Sequence, residues 1–214
     1  AMTAPETAGM TATNDPRLGS AGILRTDVEA RTVDENDNEL PPGQAGEVVV
    51  RGDIVMAGYW NNPQATAETM RNGWLHTGDI GYFDENGYLF LLDRAKDMII
   101  SGGNNVYPRE VEEVIAQHAA VANVVVFGIP HEYWGEAVHA VVELHPGAKL
   151  GAEDVIAHCG NNMAGYKKPK SVEFVDKLPV SGYGKVMRRE MREAHWKGRA
   201  ARIGGGGPAS AKKG

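Results

Sequence analysis

The chain has 214 residues, of which 42% are hydrophobic and 23% charged, with a formal net charge of −6 at pH 7. This is an ordinary globular composition, sufficient for one large domain or two small ones around a real apolar core. The single cysteine, Cys159, excludes an internal disulfide and favours a reducing, cytoplasmic location. We find no signal peptide and no apolar run near the roughly 18 residues of a membrane helix, so the sequence predicts a soluble protein.

Positive charge is concentrated toward the C-terminal end. Residues 166–214 contain 13 Lys and Arg against 4 Asp and Glu. Such a basic segment suggests a polyanionic ligand, although a solvated basic helix and tail is the plainer explanation. Nucleic acid is a weaker candidate, because neither interleaved aromatic residues nor a zinc pattern accompanies the charge. Peripheral contact with a membrane stays open, and no transmembrane segment is expected.

The first part of the chain predicts a small β-barrel subdomain. Residues 1–19 are rich in Ala, Thr, Pro and Asp and predict an irregular segment. Short apolar strands follow over 28–33 and 47–52, separated by a turn-rich stretch. Such strands with Pro and Gly turns between them are typical of a barrel or sandwich, which we assign to residues 20–95.

Turn and cap residues divide the rest of this subdomain. Asn62 and Pro63 predict the start of a short helix, which Gly73 ends. The block Thr77-Gly78-Asp79 comes next, and an Asn-Gly pair at 86–87 predicts a hairpin. The second strand of that hairpin, 88–92, leads to a charged cluster.

That charged cluster, Asp93 to Asp97, predicts a domain junction. Four charges in five residues are not expected to bury, so the chain should reach the surface there. A short strand follows over 98–100, and Gly102-Gly103 then allows positive φ or close approach to a ligand. Pro108 suits the first turn of a helix.

Beyond the junction, mixed periodicities predict a compact α+β domain over residues 96–202. A turn is expected at Gly128–Pro130, and residues 203–214 predict a disordered tail. The seven histidines have no metal-ligand spacing and are expected to be structural or exposed. The expected elements are helices over 108–119, 152–161 and 186–196 and strands over 124–127, 138–144 and 171–175.

Three blocks resemble those of the adenylate-forming superfamily, which includes acyl-CoA synthetases, luciferases and peptide-synthetase adenylation domains. Residues 93–108 are similar to its hinge block and the Ile-Ile-Ser-Gly-Gly segment that follows it, and a Glu-x-Glu helix comes next at 110–112. Thr77-Gly78-Asp79 resembles the ribose-binding block, and Gly184-Lys185 resembles the Gly-Lys block. The resemblance covers nearly all of residues 20–197.

The resemblance implies roles for individual residues. Lys185 would be catalytic, bridging the substrate carboxylate and the α-phosphate of ATP, and Tyr183 stands where this loop usually has Thr or Ser. Lys96 would be the hinge residue, at which the small domain swings between the two half-reactions. The AMP- and ATP-binding residues would be Asp79, Arg94 and Leu91.

The residues alone leave simpler alternatives open for each of these positions. Lys185 could be a surface lysine ahead of a basic helix. Arg94 could form an ion pair with Asp93 or Asp97. Leu91 could pack in the core of its strand.

Coenzyme A is the polyanion that the resemblance implies for the basic segment. Stacking on an aromatic ring with cationic side chains nearby suits a phosphorylated nucleotide, but Trp134 could equally be a half-buried anchor. Magnesium would be held by Glu6, in a degraded version of the family's metal block. The CoA-binding candidates are Gly102, Gly103, Trp134, Tyr166, Lys168 and Lys170.

The implied activity is that of an ATP-dependent ligase joining a fatty or aryl carboxylic acid to CoA through an acyl-adenylate. The family's Pro-Lys-Gly phosphate loop does not occur in this sequence. We therefore expect the chain to correspond to the last two-fifths of such a ligase and to be inactive alone. A peptide-synthetase adenylation domain, a luciferase-like enzyme and a non-catalytic partner-binding module remain alternatives, and neither the acid nor the oligomeric state is predicted.

Overall fold

The computed structural model describes residues 15–197. The chain divides into two compact units between Ala95 and Lys96, each built on its own sheet, and the predicted α+β class is confirmed. Glu6 and the predicted tail, 203–214, lie outside the described residues. Within residues 15–197, no helix is both long and apolar enough to cross a membrane.

Unit 1 contains a six-stranded antiparallel sheet in the order β1-β6-β5-β3-β2, with β4 paired to β5. The predicted barrel is therefore corrected to an open sheet among the described residues. Strand β1 is only two residues long and pairs with β6, too short an edge to close a barrel against β2. The strands are β1 Gly22–Ile23, β2 Glu29–Val33, β3 Gly46–Arg51, β4 Met70–Arg71, β5 Trp74–Phe83 and β6 Tyr88–Arg94.

The two helical segments of unit 1 each begin at a side chain that caps their N-terminus. In helix α1, Pro63–Thr69, the Asn62 side chain accepts a hydrogen bond from the backbone N–H of Ala65 at 3.0 Å. This confirms the helix start predicted from an Asn cap followed by Pro. Where an irregular segment was predicted, residues Pro16–Gly19 form a 3₁₀ turn, because Asp15 accepts from the backbone N–H of Arg17.

Unit 2 has three layers, with a five-stranded sheet between α-helices on its two faces. Strands β11, β10, β7 and β8 lie in that order with β9 on β10, and β10 and β11 are parallel while the other pairs are antiparallel. The strands are β7 Ile99–Ser101, β8 Asn104–Val106, β9 Val121–His131, β10 Gly135–Leu144 and β11 Ser171–Val175. The helices are α2 Pro108–Ala116, α3 Ala152–Asn162 and α4 Arg188–Trp196.

Alternating residues of β9 and β10 form two apolar clusters. Val126 and Val138 pack with buried residues of α2 and α3, while Phe127 packs with residues that include Met191 of α4. Because successive side chains of a strand point to opposite faces, α4 lies on the other side of the sheet from α2 and α3. Burial within the first cluster raises the pKa of the Cys159 thiol to about 11, so the thiol is protonated at neutral pH.

Strand β9 is longer than predicted. The turn expected at Gly128–Pro130 is wrong, since β9 stays paired with β10 until His131 meets Gly135. Ladder pairing with a long neighbour here outweighs the local turn preference of Gly and Pro.

The charged segment at the start of unit 2 is held by ion pairs. The Asp97 carboxylate, only 17% exposed, lies 2.8 Å from Arg192 and 3.8 Å from Arg188. Arg188 also donates from one nitrogen to both carboxylate oxygens of Glu112, at 2.7 and 2.9 Å. The expectation that every charge of Asp93–Asp97 faces solvent is therefore wrong for Asp97, because two arginines from α4 neutralise it.

We expect Arg188→Ala to lower the free energy of unfolding of unit 2 by about 1–3 kcal/mol, because two partly buried carboxylates lose a shared partner. Arg189→Ala is the matched control: its pair with Glu193 lies one residue along the same helix but is exposed, and should be worth about 0.5 kcal/mol. Urea denaturation measures both variants. Equal losses would show that the network contributes no more than a surface pair.

Candidate functional site

Asp79 and Arg94 face each other across β5 and β6. Their backbones are register partners, and Arg94 Nε lies 2.7 Å from Asp79 Oδ1. The Arg94 side chain therefore pairs with Asp79, whereas the alternative from sequence was an ion pair with Asp93 or Asp97. Both side chains are partly exposed, so a polar ligand could reach the carboxylate and the guanidinium together.

Strand β3 holds the Thr77-Gly78-Asp79 segment in place through Glu47 and Val48, which sequence reasoning did not assign to the site. Thr77 Oγ1 donates to the carbonyl of Val48 at 2.7 Å and accepts from the N–H of Asp79 at 3.1 Å. Glu47 Oε1 accepts from the N–H of Gly78 at 3.1 Å, and its other oxygen lies 2.8 Å from His76 Nδ1. The backbone that presents Asp79 is therefore fixed from the neighbouring strand.

Leu91 lies in β6 opposite Gly81, where the register shifts and β6 carries one extra residue. Its side chain is 39% exposed, so the core-packing alternative does not apply to it. An apolar side chain exposed three positions before Arg94 is available to cover an aromatic ligand.

Lys185 is exposed on a loop whose base is closed by backbone hydrogen bonds. The N–H of Ser181 donates to the carbonyl of Lys185 at 2.8 Å, and the N–H of Gly184 donates to the carbonyl of Ser181 at 2.8 Å. Gly184 has φ +76°, which favours glycine at this position. The loop therefore presents the ammonium to solvent from a defined backbone.

Lys96 is exposed at the start of unit 2, and its carbonyl accepts from Arg192 at 3.3 Å. A groove of about 410 Å³ is lined by Lys96, Asp97 and the segment from Val186 to Arg189, together with Arg192 and Glu193. The predicted hinge residue and the residues directly after Lys185 thus share one side of unit 2.

Gly102 and Gly103 form the two-residue turn between β7 and β8, with φ of +57° and +81°. Strand β8 was not predicted, and the glycines make a tight hairpin rather than an open loop. Gly102 also makes room for Trp134: a Cβ there would lie 2.7 Å from Trp134 Cε3. The N–H of Gly102 donates to the Trp134 carbonyl at 2.9 Å, so the turn and the indole form one unit.

We expect Gly102→Ala to lower the free energy of unfolding by about 1–3 kcal/mol more than Gly103→Ala. Both substitutions place Ala at positive φ, but only the one at position 102 forces its methyl group into the indole. Denaturant unfolding of both variants gives the difference, and equal losses would mean that Trp134 moves aside freely.

Cationic side chains gather around Trp134. The Lys170 ammonium lies 5.0 Å from the centre of the indole, within cation–π range. Burial first and the nearby charge of Lys168 second hold the pKa of Lys170 below its usual value, so an anion bound here would relieve unfavourable charge. Gly102, Trp134 and Lys170 are thus brought together, and Lys168 is close enough for its charge to act on Lys170.

Tyr166 is exposed and has a different cationic neighbour. Lys167, which sequence reasoning did not select, lies 5.8 Å from the Tyr166 ring and 2.6 Å from Glu110. The pairing of Lys167 with the first glutamate of the Glu-x-Glu helix leaves Lys168 and Lys170 as the cationic candidates for a ligand.

Comparisons with known proteins identify the family of the chain. A family model described as AMP-binding enzyme matches residues 2–60, and one described as AMP-binding enzyme C-terminal domain matches residues 110–185. A long-chain-fatty-acid–CoA ligase from Escherichia coli O6:H1 is 49% identical over 84% of the chain. The chain belongs to the adenylate-forming, AMP-binding enzyme family. This family member spans about a third of the length of the curated relatives it matches.

Solved structures of adenylate-forming enzymes superpose on the chain. ATP-bound MatB from Rhodopseudomonas palustris has a TM-score of 0.80 and 39% identity, covering 86% of this chain and 37% of that one. The o-succinylbenzoate CoA synthetase MenE from Bacillus subtilis, in complex with the acyl-adenylate OSB-AMP, has a TM-score of 0.76 and 36% identity, covering 87% and 37%. The two-unit α+β fold described above is therefore that of an adenylate-forming enzyme.

Proposed function

We propose that this chain is the C-terminal part of an ATP-dependent carboxylic acid–CoA ligase. The observation that carries the proposal is the exposed lysine, Lys185, on a loop with a fixed base, in a chain that also carries the paired Asp79 and Arg94. The similarity to CoA ligases supports the same reaction class. The domain boundaries proposed with it are 20–95 for the subdomain ending the large domain and 96–202 for the mobile small domain.

In the first half-reaction, a carboxylate oxygen attacks the α-phosphorus of ATP and pyrophosphate leaves. The Lys185 ammonium would neutralise the negative charge that the carboxylate and the α-phosphate bring together. Asp79 would accept hydrogen bonds from the two ribose hydroxyls, with Arg94 beside it, and Leu91 would cover the nucleotide. Magnesium is proposed with ATP, and its candidate ligand Glu6 lies outside the described residues.

In the second half-reaction, the CoA sulfur attacks the acyl carbonyl, the thiol proton is lost to solvent, and AMP leaves. We propose that torsional change at Lys96 exchanges the Lys185 loop for the Gly102-Gly103 turn at the nucleotide. Trp134 would stack on the CoA adenine while Lys168 and Lys170 pair with phosphates. The protonated, buried thiol of Cys159 fits the cytoplasmic location proposed for such an enzyme.

Titration calorimetry of CoA against the chain tests the CoA site. We expect Trp134→Ala and Lys170→Gln each to weaken binding by about tenfold, because an indole–adenine stack or a phosphate pair is worth roughly 1–3 kcal/mol. Trp60→Ala, at a 91% exposed tryptophan of unit 1, and Lys149→Gln, at an exposed lysine of unit 2, are the matched controls. If all four variants bind CoA alike, or the unaltered chain does not bind it, the CoA assignment is wrong.

A further inference from the structure

A cluster of three potential metal ligands in unit 2 contains no residue that the proposed function uses. It joins three elements: His139 in β10, Glu173 in β11 and His195 in α4. One ligand atom from each side chain lies within 4.8 Å of the others. His139 Nε2 is 3.7 Å from Glu173 Oε2, and the two imidazole centres are 5.1 Å apart.

His139 is the buried member of the cluster, with 5% exposure. Its Nδ1 lies 2.7 Å from Ser171 Oγ, which fixes the orientation of the ring. Within the described part of the chain, its Nε2 is buried without a hydrogen-bond partner. A buried polar atom without a partner is costly, so a group absent from the polypeptide itself is expected to satisfy it.

We propose that His139, Glu173 and His195 form a binding site for a divalent transition metal, of which Zn²⁺ is the best match. When the Nδ1–H of His139 donates to Ser171, Nε2 carries a lone pair and lies 3.7 Å from Glu173 Oε2. This is the arrangement in which one ring nitrogen binds a metal while the other donates to an orienting group. Two imidazoles and a carboxylate suit Zn²⁺ better than Mg²⁺ or Ca²⁺, which prefer all-oxygen sites.

The geometry needs only side-chain adjustment. Ligands bonded at roughly 2.0–2.1 Å around a tetrahedral Zn²⁺ are about 3.3 Å apart. The 3.7 Å between His139 Nε2 and Glu173 Oε2 must therefore contract by about 0.4 Å, and the other pairs, which lie within 4.8 Å, by at most about 1.5 Å. The Glu173 and His195 side chains are exposed and can rotate, while His139 stays fixed by Ser171. A metal bound there would connect α4 to the sheet on the face where Phe127 already packs against both imidazoles.

Calorimetric titration of Zn²⁺ into the untagged, metal-free chain tests the site. We expect one Zn²⁺ per chain, and His195→Ala and Glu173→Gln should each weaken the affinity by about tenfold or more. His145→Ala and Glu85→Gln, which remove an exposed histidine and an exposed glutamate elsewhere, should leave it unchanged. The visible spectrum of bound Co²⁺ should show the intense bands of a low-coordinate site and lose them in the same two variants.

Both key variants alter exposed side chains, and urea denaturation of the metal-free proteins confirms that they fold. The proposal is overturned if the unaltered chain binds no Zn²⁺, or if folded His195→Ala binds it as tightly as His145→Ala does. It is supported if amide hydrogen exchange of α4 slows on adding Zn²⁺ in the unaltered chain but not in Glu173→Gln. None of these readouts depends on ligase activity, so the proposed function can fail separately.

Discussion

Lys185→Ala is expected to slow acyl-adenylate formation by about 10²–10³-fold while leaving thioester formation from supplied acyl-adenylate unchanged. The ammonium would act where two negatively charged reactants meet, and removing one such electrostatic contact typically costs this much in rate. Once the adenylate exists, that charge has already been transferred to pyrophosphate, so the second step no longer needs this lysine. The exposed position of Lys185 means that the substitution should not destabilise unit 2.

The measurement compares pyrophosphate release with thioester formation from synthetic acyl-adenylate, in the full-length ligase of which this chain is proposed to be a part. Lys177→Ala is the matched control, since it removes another exposed lysine from the same unit. If Lys185→Ala slows both half-reactions equally, the proposal that the Lys185 loop serves the first step and the Gly102-Gly103 turn the second is wrong. An unchanged rate of pyrophosphate release would remove Lys185 from the chemistry altogether.

Asp79→Ala is expected to weaken AMP binding by roughly 30- to 1000-fold, or about 2–4 kcal/mol. A charged acceptor of two ribose hydroxyls contributes about this much, and no other described carboxylate lies at the β5–β6 register position facing Arg94. Folding should be little affected, because the Arg94 left behind is 57% exposed and is readily solvated. The variant therefore separates nucleotide binding from stability.

Calorimetry with AMP measures this effect on the chain, with Asp53→Ala as a control at an exposed aspartate of unit 1. If Asp79→Ala and Asp53→Ala bind AMP equally, the ribose assignment is wrong. If the unaltered chain ignores both AMP and CoA, the partner-binding alternative gains over the ligase.

Local rules predicted the elements whose ends are decided by neighbouring residues. The starts of α1 at Pro63 and α2 at Pro108 follow from the proline position, and β11 matches its predicted bounds of 171–175. Long-range pairing decided what was missed. Strand β9 runs through Gly128–Pro130 because β10 pairs with it, and the described part of unit 1 forms an open sheet instead of the predicted barrel because its edge strand β1 has only two residues.

The candidate site likewise contains residues that local sequence predicts and residues that only long-range packing brings together. Asp79, Arg94 and Lys185 could be selected because each lies in a contiguous block, and the structure then pairs the first two. Glu47 supports Asp79 from 32 positions earlier in the chain, and His139 meets Glu173 and His195 only through the packing of separate elements. Contacts of this kind have no signature in sequence spacing.

Arg188 has a mechanical consequence. By bridging Asp97 and Glu112, it fastens the residue directly after the proposed pivot to two helices at once. A rotation about Lys96 would therefore move α2 and α4 together as one rigid group, and the loop preceding α4 would move with them. Weakening the Arg188 ion pairs should therefore separate the proposed rotation of the small domain from the movement of Lys185, even where every residue that contacts substrate is intact.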